Sequence, residues 1–385
     1  MKGGEKVTIK RLQEKVIAKS KEIGIDKIGF TSADPFIELK EQLRNQQKKS
    51  YASGFEKGTV EQRTEPKELM KEAKSIISIA LAYPSKIIDP PKSTKEDRRG
   101  IFCRASWGTD YHIVLKEKLT ELMTFILEEV PDVKYQIMVD TGELVDGAVA
   151  ERAGIGFTGK NTLLITEEFG SYVYLGEILI SLPFEPDSPL ELDCGDCRKC
   201  IDVCPTNAIV SGGQLNANQC LAFQTQTKHF LKDEFKAVLG TRVYGCDTCQ
   251  AVCPYNKGID FHNHEAFEAD PEIAKPKLKP MLNMSNREFR AEFGEIAGFW
   301  RGKNPLQRNA MIGLAHYKDE TAIDVLIEVL EKDARPAIRG TAGWSLGKIG
   351  TKKAYQAIEK ALAIEKDEAA ANEMKKGLAF KKSRY

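Results

Sequence analysis

Four cysteines fall close together in the stretch CGDCRKCIDVCPTNAI, which begins at Cys194. Their pattern is Cys194-x2-Cys197-x2-Cys200-x3-Cys204, and Pro205 follows the last of them. Three thiolates at this spacing can wrap one cube of four irons and four sulfides, and the cysteine before the proline then ligates a second cube. A chain with this run is therefore expected to fold around two iron–sulfur clusters and to supply more ligands elsewhere.

The remaining ligands lie downstream, in CDTCQAVCP and at one cysteine before it. The spacing predicts one cluster on Cys194, Cys197, Cys200 and Cys253 and another on Cys204, Cys220, Cys246 and Cys249. Two zinc sites or a disulfide network are the alternatives. Zinc usually takes separated C-x2-C pairs and often histidine, and none of the five histidines lies in these runs. The pattern favours two 4Fe–4S clusters.

Composition sets the wider frame. The chain has 385 residues, of which 42% are hydrophobic and 29% charged, so two or three globular domains are expected. We find neither an apolar run long enough to span a bilayer nor an apolar core near the N-terminus, so we expect a cytoplasmic protein without a membrane segment. The net charge of +1 hides an asymmetry: residues 301–385 hold 17 Lys and Arg against 11 Asp and Glu, which suggests a polyanionic partner.

Periodicity predicts an α+β multidomain chain. Residues 1–186 alternate between helices and strands, and 187–262 contain the cysteine runs of a bacterial ferredoxin-like domain. Residues 263–385 begin with a proline-rich linker and continue as helices. Two blocks that start at Arg308 and Arg339 look related, and each reads as a helical hairpin, which is typical of HEAT-like repeats. An unrelated helical bundle is the alternative.

The stretches VDTGELVDGAVAERAGIGFTGKNTLLI, RGIFCRASWGTDYH and YGCDTCQAVCPYNKG, together with the double cysteine pattern and the repeats, resemble the epoxyqueuosine reductase family over essentially the whole chain. The resemblance implies a cytoplasmic enzyme that uses cobalamin and two 4Fe–4S clusters. It also implies reduction of the epoxide of epoxyqueuosine, the wobble nucleoside of a tRNA anticodon, to the alkene of queuosine. The implied partners are this tRNA and an external electron donor, and we expect a monomer that binds no membrane.

The resemblance assigns the domains: residues 1–186 bind cobalamin and hold the catalytic site, and the repeats bind tRNA. The D-x-H-x-x-G signature of another class of cobalamin modules is absent, so the cobalamin prediction rests on the resemblance. It further implies that Asp140 donates the proton which lets the epoxide oxygen leave. A free aspartate has a pKa of about 3.9, so this role predicts a raised pKa. The alternative is that Asp140 only caps the turn at Thr141 and Gly142.

Further residues lie in segments that resemble the family's cofactor and substrate surroundings. The predicted cofactor-binding residues are Arg63, Cys103, Asp140, Lys160, Asn161, Gln226 and Thr227. Cys103 is interpreted as lining the pocket and not as a cobalt ligand, because a solitary cysteine is more often a small buried apolar residue. The predicted tRNA-binding residues are Lys228, Arg287, Arg301, Lys303 and Arg308, with Arg335 and Arg339 as further phosphate contacts and Phe299 and Trp300 as stacking surfaces. Structural roles for Arg308, Arg339 and Trp300 are the alternatives.

Two other functions remain open from the sequence. A cobalamin-dependent reductase of a small molecule, similar to a dehalogenase, would use the same cysteines, but it would not need the basic helical segment. An electron-carrier subunit would use the repeats to dock a partner protein, and it would need no pocket in the first domain. Binding of tRNA distinguishes the first of these from the predicted enzyme.

Overall fold

The computed structural model describes residues 8–210 and 213–382. The strands are β1 (Lys27–Ser32), β2 (Ser75–Ala82), β3 (Ile101–Phe102), β4 (Tyr135–Met138), β5 (Phe157–Thr158), β6 (Leu164–Ile165), β7 (Val173–Ile180), β8 (Ile209–Val210), β9 (Gln214–Leu215) and β10 (Arg242–Tyr244). The helices are α1 (Ile9–Glu22), α2 (Ile37–Lys48), α3 (Val60–Thr64), α4 (Pro66–Leu69), α5 (Tyr111–Glu129), α6 (Asp146–Arg152), α7 (Lys199–Val203), α8 (Leu221–Gln224), α9 (Asp233–Leu239), α10 (Thr248–Ala251), α11 (Pro271–Ala274), α12 (Pro280–Asn283), α13 (Asn286–Phe293), α14 (Lys303–Tyr317), α15 (Ile323–Lys332), α16 (Pro336–Ile349), α17 (Lys352–Leu362) and α18 (Glu368–Lys382). In the described ranges, no helix has the length and apolar character needed to cross a membrane.

Two compact units make up the chain, and both are discontinuous in sequence. Of the described residues, the first unit comprises 8–86, 109–210, 213–218 and 248–268. The second comprises 87–108, 219–247 and 269–382. The cysteine-rich segment contributes to both units, so these units do not follow the three segments predicted along the sequence.

A four-stranded antiparallel sheet forms the centre of the first unit, with the order β1-β2-β7-β4. All eight residues of β2 are buried, because helices such as α5 and α6 pack against the sheet and leave no face for water. This burial explains why SIISIALA is apolar without the alternation of a half-exposed strand. The strands predicted at SIISIALAY and SYVYLGEILI are confirmed, whereas TLLIT forms only the two-residue β6.

Helix α5 carries two polar side chains of the candidate active site at its N-terminal end. Its predicted stripe of Leu115, Leu119, Leu122 and Ile126 is fully buried. The helix begins where the side chain of Asp110 accepts a hydrogen bond from the backbone N–H of His112, which satisfies one of the unpaired donors of the first turn. Tyr111 and His112 are thereby placed at the N-terminal end of the helix.

The C-terminal part of the second unit is helical. Helices α14 and α15 fall in the first of the two related blocks and α16 and α17 in the second. Helix α16 packs against α14, α15, α17 and α18. Helices α16 and α18 cross very closely: an added Cβ at Gly347 would lie 2.1 Å from the carbonyl oxygen of Gly377, and one at Gly377 would lie 2.5 Å from that of Gly343. Only glycine permits this approach at the crossing. Any larger residue at Gly347 is therefore expected to separate the two helices.

Candidate active site

One cavity of the first unit brings together the four cysteines predicted to hold the first cluster. Its lining consists of Lys160, Asn161, Ile165, Cys194, Cys197, Lys199, Cys200, Cys253, Pro254 and Tyr255. Lys160 braces the loop: its backbone N–H points at the sulfur of Cys194 at 3.4 Å, and its ammonium donates to the carbonyls of Gly195 and Cys197. The structure thus gathers Cys253 with the three cysteines of the upstream run, as the spacing predicted.

A buried donor beside these thiols supports a cluster at this position. Asn161 is 5% exposed, and its side-chain Nδ2 has no partner within the described ranges, although a buried amide normally has one. The sulfur atoms of an iron–sulfur cluster accept such hydrogen bonds and are tuned by them. Four thiols around one cavity, with an unpaired buried amide beside them, fit the ligand set of a cluster.

The other four cysteines are divided between the two units. Cys204 and Cys249 belong to the first unit, and Cys220 and Cys246 belong to the second. Cys204 accepts a hydrogen bond from the backbone N–H of Ala208 at 3.3 Å, which is the kind of bond that stabilises a thiolate. The assignment of these four to one cluster stays a prediction from the spacing.

Asp140 lies at the end of the sheet and is the centre of a polar network. It follows β4 and has a positive φ of 49°, a conformation that non-glycine residues adopt rarely. Its Oδ2 accepts a hydrogen bond from the phenol of Tyr111 at 2.7 Å and lies 3.4 Å from Nε2 of His112. Nδ1 of His112 in turn lies 2.7 Å from Oδ1 of Asp110. The carboxyl group of Asp140 is 59% exposed, so it is open to a ligand.

The charges in this network are set by its contacts. The contact with His112 is the main reason why the pKa of Asp140 is lowered, against the effect of burial. Burial alone would lower the pKa of His112, but its contacts with Asp110 and Asp140 raise it to about 9. The expectation of a raised pKa for Asp140 is therefore wrong for this arrangement. At neutral pH the proton resides on the imidazole of His112, next to an ionised Asp140.

Sequence reasoning did not single out Asp110, Tyr111, His112, Asp146 or Glu177, which surround Asp140. The first three lie in the stretch RGIFCRASWGTDYH, whose polar end was a usable signal. Glu177 interrupts the apolar strand VYLGEILI, and an acid in the middle of a buried strand was a second signal. Asp146 lies six residues after Asp140, and only the fold shows the hydrogen bond between them.

The other predicted cofactor residues have different surroundings. Arg63 is half-buried, and burial lowers its pKa although the carboxylates of Glu56 and Asp146 oppose that effect. In the second unit, burial raises the pKa of Cys103 far above its usual value, with the charge of Asp247 as the next cause. The thiol of Cys103 therefore stays protonated, which agrees with the interpretation that it is not a thiolate ligand.

Arg308 is a correction to the predicted tRNA surface. Its side chain is 1% exposed, and the guanidinium donates to the carbonyls of Gln224, Thr225, Thr227 and His229. A predicted phosphate contact for Arg308 is wrong, because the group is enclosed and its donors are already used. Its role is to hold the loop that carries Gln226, Thr227 and Lys228.

The remaining basic residues differ in how freely they could contact a phosphate group. Lys228 and Arg287 are exposed. Arg301 donates to the carbonyl of Gln226 and lies over the ring of Trp300, and Lys303 donates to the carbonyl of Met284. Arg335 is bonded to Asp333 and Gln307, and Arg339 makes two bonds to Glu365, so both serve the repeats. Trp300 is 53% exposed and donates from its indole to the side chain of Gln226.

The substitution Arg308→Met is expected to destabilise the second unit by about 3–5 kcal/mol, because it leaves several buried carbonyls without a donor. Denaturant unfolding of the cluster-loaded protein measures this change. The exposed Arg287→Met is the matched control and should stay within about 0.5 kcal/mol of the wild type. An equal effect of both variants would show that the loop does not depend on Arg308.

The free energy of unfolding should depend on pH through His112. Because its pKa is raised in the folded state, its contribution is complete below the unfolded value of about 6.5 and is lost as the pH rises to about 9. We expect a loss of about 1 kcal/mol over this range, since solvent around Asp140 weakens the pair. The variant His112→Gln should lack this loss when unfolding is followed between pH 6 and 9.5. A variant with an unchanged pH slope would contradict the assignment.

Comparison with known proteins agrees with these features. Residues 63–141 match the family described as "Epoxyqueuosine reductase QueG, DUF1730", residues 193–256 match a 4Fe-4S double cluster binding domain, and residues 302–378 match HEAT repeats. An epoxyqueuosine reductase of Bacillus anthracis is 58% identical over 96% of this chain and 97% of its own length.

Two solved structures are similar over nearly the whole chain. A crystal structure of epoxyqueuosine reductase with an epoxyqueuosine-modified tRNA-Tyr stem loop is 57% identical, with a TM-score of 0.95, and covers 97% of this chain and 100% of its own. The enzyme of Bacillus subtilis is 56% identical with a TM-score of 0.95 and the same two coverages, and that structure has its catalytic aspartate loop swung out of the active site.

The double-cluster domain, the polar network at Asp140 and the helical repeats define an iron–sulfur oxidoreductase. The predicted double-cluster domain and HEAT-like repeats are confirmed. At this identity over nearly its full length, the chain belongs to the epoxyqueuosine reductase family.

Proposed function

We propose that this chain reduces the epoxide of epoxyqueuosine in tRNA to the alkene of queuosine, with electrons passed through two 4Fe–4S clusters to cobalamin. The reaction consumes two electrons and two protons and releases the epoxide oxygen as water. The observation that carries the proposal is the full-length similarity to a reductase that was solved with an epoxyqueuosine-modified tRNA stem loop. The polar network at Asp140 supplies what the reduction needs besides electrons, namely a proton source open to a ligand.

The proton is delivered by Asp140 and His112 acting together. In the ligand-free arrangement His112 holds the proton and Asp140 is its ionised neighbour. A substrate oxygen that approaches the exposed carboxyl of Asp140 can receive the proton through that carboxyl, and the phenol of Tyr111 keeps the carboxyl oriented. Asp110 fixes the ring of His112 from the other side. This arrangement lets Asp140 act as the acid while its own pKa stays low.

The clusters are held by the two sets of four cysteines predicted from the spacing. Asn161 lines the cysteine cavity and can donate a hydrogen bond from its side chain to a cluster sulfur there. Its proposed contact is therefore with the first 4Fe–4S cluster. Cobalamin, when bound, would supply the strongly reducing centre that the epoxide requires. Arg63 and Asp140 both face Asp146 in the first unit and offer a cation and a carboxylate to that cofactor or to the substrate. Cys103, Lys160, Gln226 and Thr227 remain further proposed cofactor-binding residues.

Because Arg308 is buried, it is removed from the proposed tRNA-binding residues. We propose Lys228, Arg287, Arg301 and Lys303 as phosphate contacts and the exposed ring of Trp300 as a stacking surface. The three functional segments, residues 1–186, 187–262 and 263–385, keep their proposed roles in catalysis, electron transfer and tRNA binding. An external donor supplies the electrons, and the enzyme works in the cytoplasm as a monomer.

Anaerobic reconstitution with iron, sulfide and cobalamin tests the function. Reconstituted protein is given a chemical reductant and epoxyqueuosine-bearing tRNA, and the nucleosides are then analysed by mass. We expect a mass loss of one oxygen from epoxyqueuosine. An unchanged nucleoside from protein with intact clusters and bound cobalamin would overturn the substrate, and a test with small halogenated or epoxide compounds would then address the small-molecule alternative.

A further inference from the structure

Two further carboxyl groups, those of Asp146 and Glu177, interact with the segment 139–145, here called the Asp140 turn. The reaction proposed above does not use them. Glu177 is on β7 and is 0% exposed. The strand register places it opposite Ser78 of β2 and Met138 of β4. Asp146 is the first residue of α6, and its Oδ2 accepts a hydrogen bond from the backbone N–H of Asp140 at 2.9 Å. The pair therefore connects the centre of the sheet to the Asp140 turn.

Glu177 lacks the partners that a buried carboxylate needs. Within residues 8–210 and 213–382, no donor reaches either of its carboxyl oxygens, and the buried hydroxyl of Ser78 across the strand is also without a partner. The carboxyl of Asp146 acts on Glu177 through its charge and through a hydrogen bond between the two groups. Such a bond needs a proton between the two groups, because two ionised carboxylates only repel each other.

The charges around the pair agree with one retained proton. Burial raises the pKa of Glu177 well above its usual value, and it raises the pKa of Asp146 to about 6, with the charge of Asp140 as the next cause. Arg63 is the cation that faces Asp146, and His112 lies beyond Asp140. On α6 itself, Glu151 is bonded to Thr158 and Arg152 to β1, so both are directed elsewhere.

The Asp140 turn needs such support. Its positive φ is uncommon for a residue other than glycine, and a residue in such a conformation keeps it only where surrounding contacts hold it. The bond to Asp146 is one of these contacts, and it is made by the backbone, so the carboxyl of Asp140 remains available to a ligand. A second negative charge on the pair would stand next to the ionised Asp140 and repel it.

We propose that Asp146 and Glu177 form a positioning pair that holds Asp140 in the active site while the two carboxyls share one proton, and that loss of this proton releases the turn. The inference rests on the proposed role of Asp140 for its meaning in catalysis. The coupling between the pair and the turn is a property of the chain without substrate.

Hydrogen exchange of the cluster-loaded protein tests the coupling without any turnover. Exchange of the segment 139–145 is measured by mass spectrometry between pH 6 and 9 and is compared with exchange of β2 in the same sample. We expect protection of the turn to fall as the pH rises, by at most about tenfold per pH unit, since one proton is involved. Glu177→Gln should lose less of its low-pH protection at pH 9 than the wild type, because an amide cannot ionise and can still donate to Asp146; the loss that remains is the contribution of His112.

The exposed Glu117→Gln is the matched control and should follow the wild type. Asp146→Asn removes the charge but keeps an acceptor for the Asp140 N–H, so it should also be less sensitive to pH than the wild type; it replaces Glu177→Gln if that variant does not fold. A wild-type turn whose protection does not change with pH overturns the proposal, as does an equal loss in Glu177→Gln. Failure of the tRNA reaction would leave these exchange results unchanged, so the two failures can be told apart.

Discussion

Replacing Asp140 by asparagine should reduce turnover of epoxyqueuosine-bearing tRNA by about 10²–10⁴-fold, the usual contribution of a positioned acid. Asparagine can still accept the hydrogen bond from Tyr111, so the local structure should survive. It cannot carry a proton from His112 to the substrate oxygen. Single-turnover analysis of the nucleosides, with saturating reductant, measures the effect on the chemical step.

The exposed Asp132→Asn serves as the control for Asp140→Asn, and it should retain wild-type turnover. Both proteins should keep the same iron content and the same bound cobalamin, which separates a loss of chemistry from a loss of cofactor. Retained turnover in Asp140→Asn would contradict the acid role and favour the alternative in which Asp140 only shapes the turn.

Paired cysteine variants should reveal which thiols share a cluster. Removing one ligand with Cys194→Ser or Cys253→Ser should abolish the first cluster, and the double variant should lose no more iron than either single variant. Combining Cys194→Ser with Cys204→Ser should remove both clusters and with them all turnover. The physical reason is that Cys253 lines the same cavity as Cys194, although it belongs to the second cysteine run in the sequence.

Iron and sulfide analysis, together with paramagnetic resonance of the reduced protein, provides the measurement for these variants. Cys103→Ser is the control, because this protonated thiol lies outside both sets, and its clusters should be unaffected. If Cys194→Ser and Cys253→Ser lost iron additively, the two residues would belong to different clusters and the predicted partition would be wrong.

The sequence predicted those parts of the molecule that local spacing determines. Cysteine spacing specifies how thiolates can wrap a cluster, and the structure gathers Cys253 with the upstream run accordingly. The apolar stripe of α5 and the continuous apolar run of β2 were likewise sufficient, because helix and strand periodicity are local properties. The role of Asp140 came from resemblance, and the residues alone favoured a turn.

Contacts between distant segments account for what the sequence did not predict. The lowered pKa of Asp140 depends on His112, which strand pairing and the start of α5 bring beside it. Arg308 has the composition of a surface cation, yet the loop 224–229 folds over it and uses its donors. The order of segments along the chain also did not reveal that both compact units are discontinuous.

The position of Cys253 in the wall of the cysteine cavity has a consequence for biosynthesis. The upstream run leaves the ribosome well before Cys253, so three thiols of the cavity are exposed while the fourth is still being made. A metal centre inserted at that stage would have an open coordination site and would be vulnerable to oxygen. Loading of the cavity is therefore expected to follow completion of the chain through its second cysteine run.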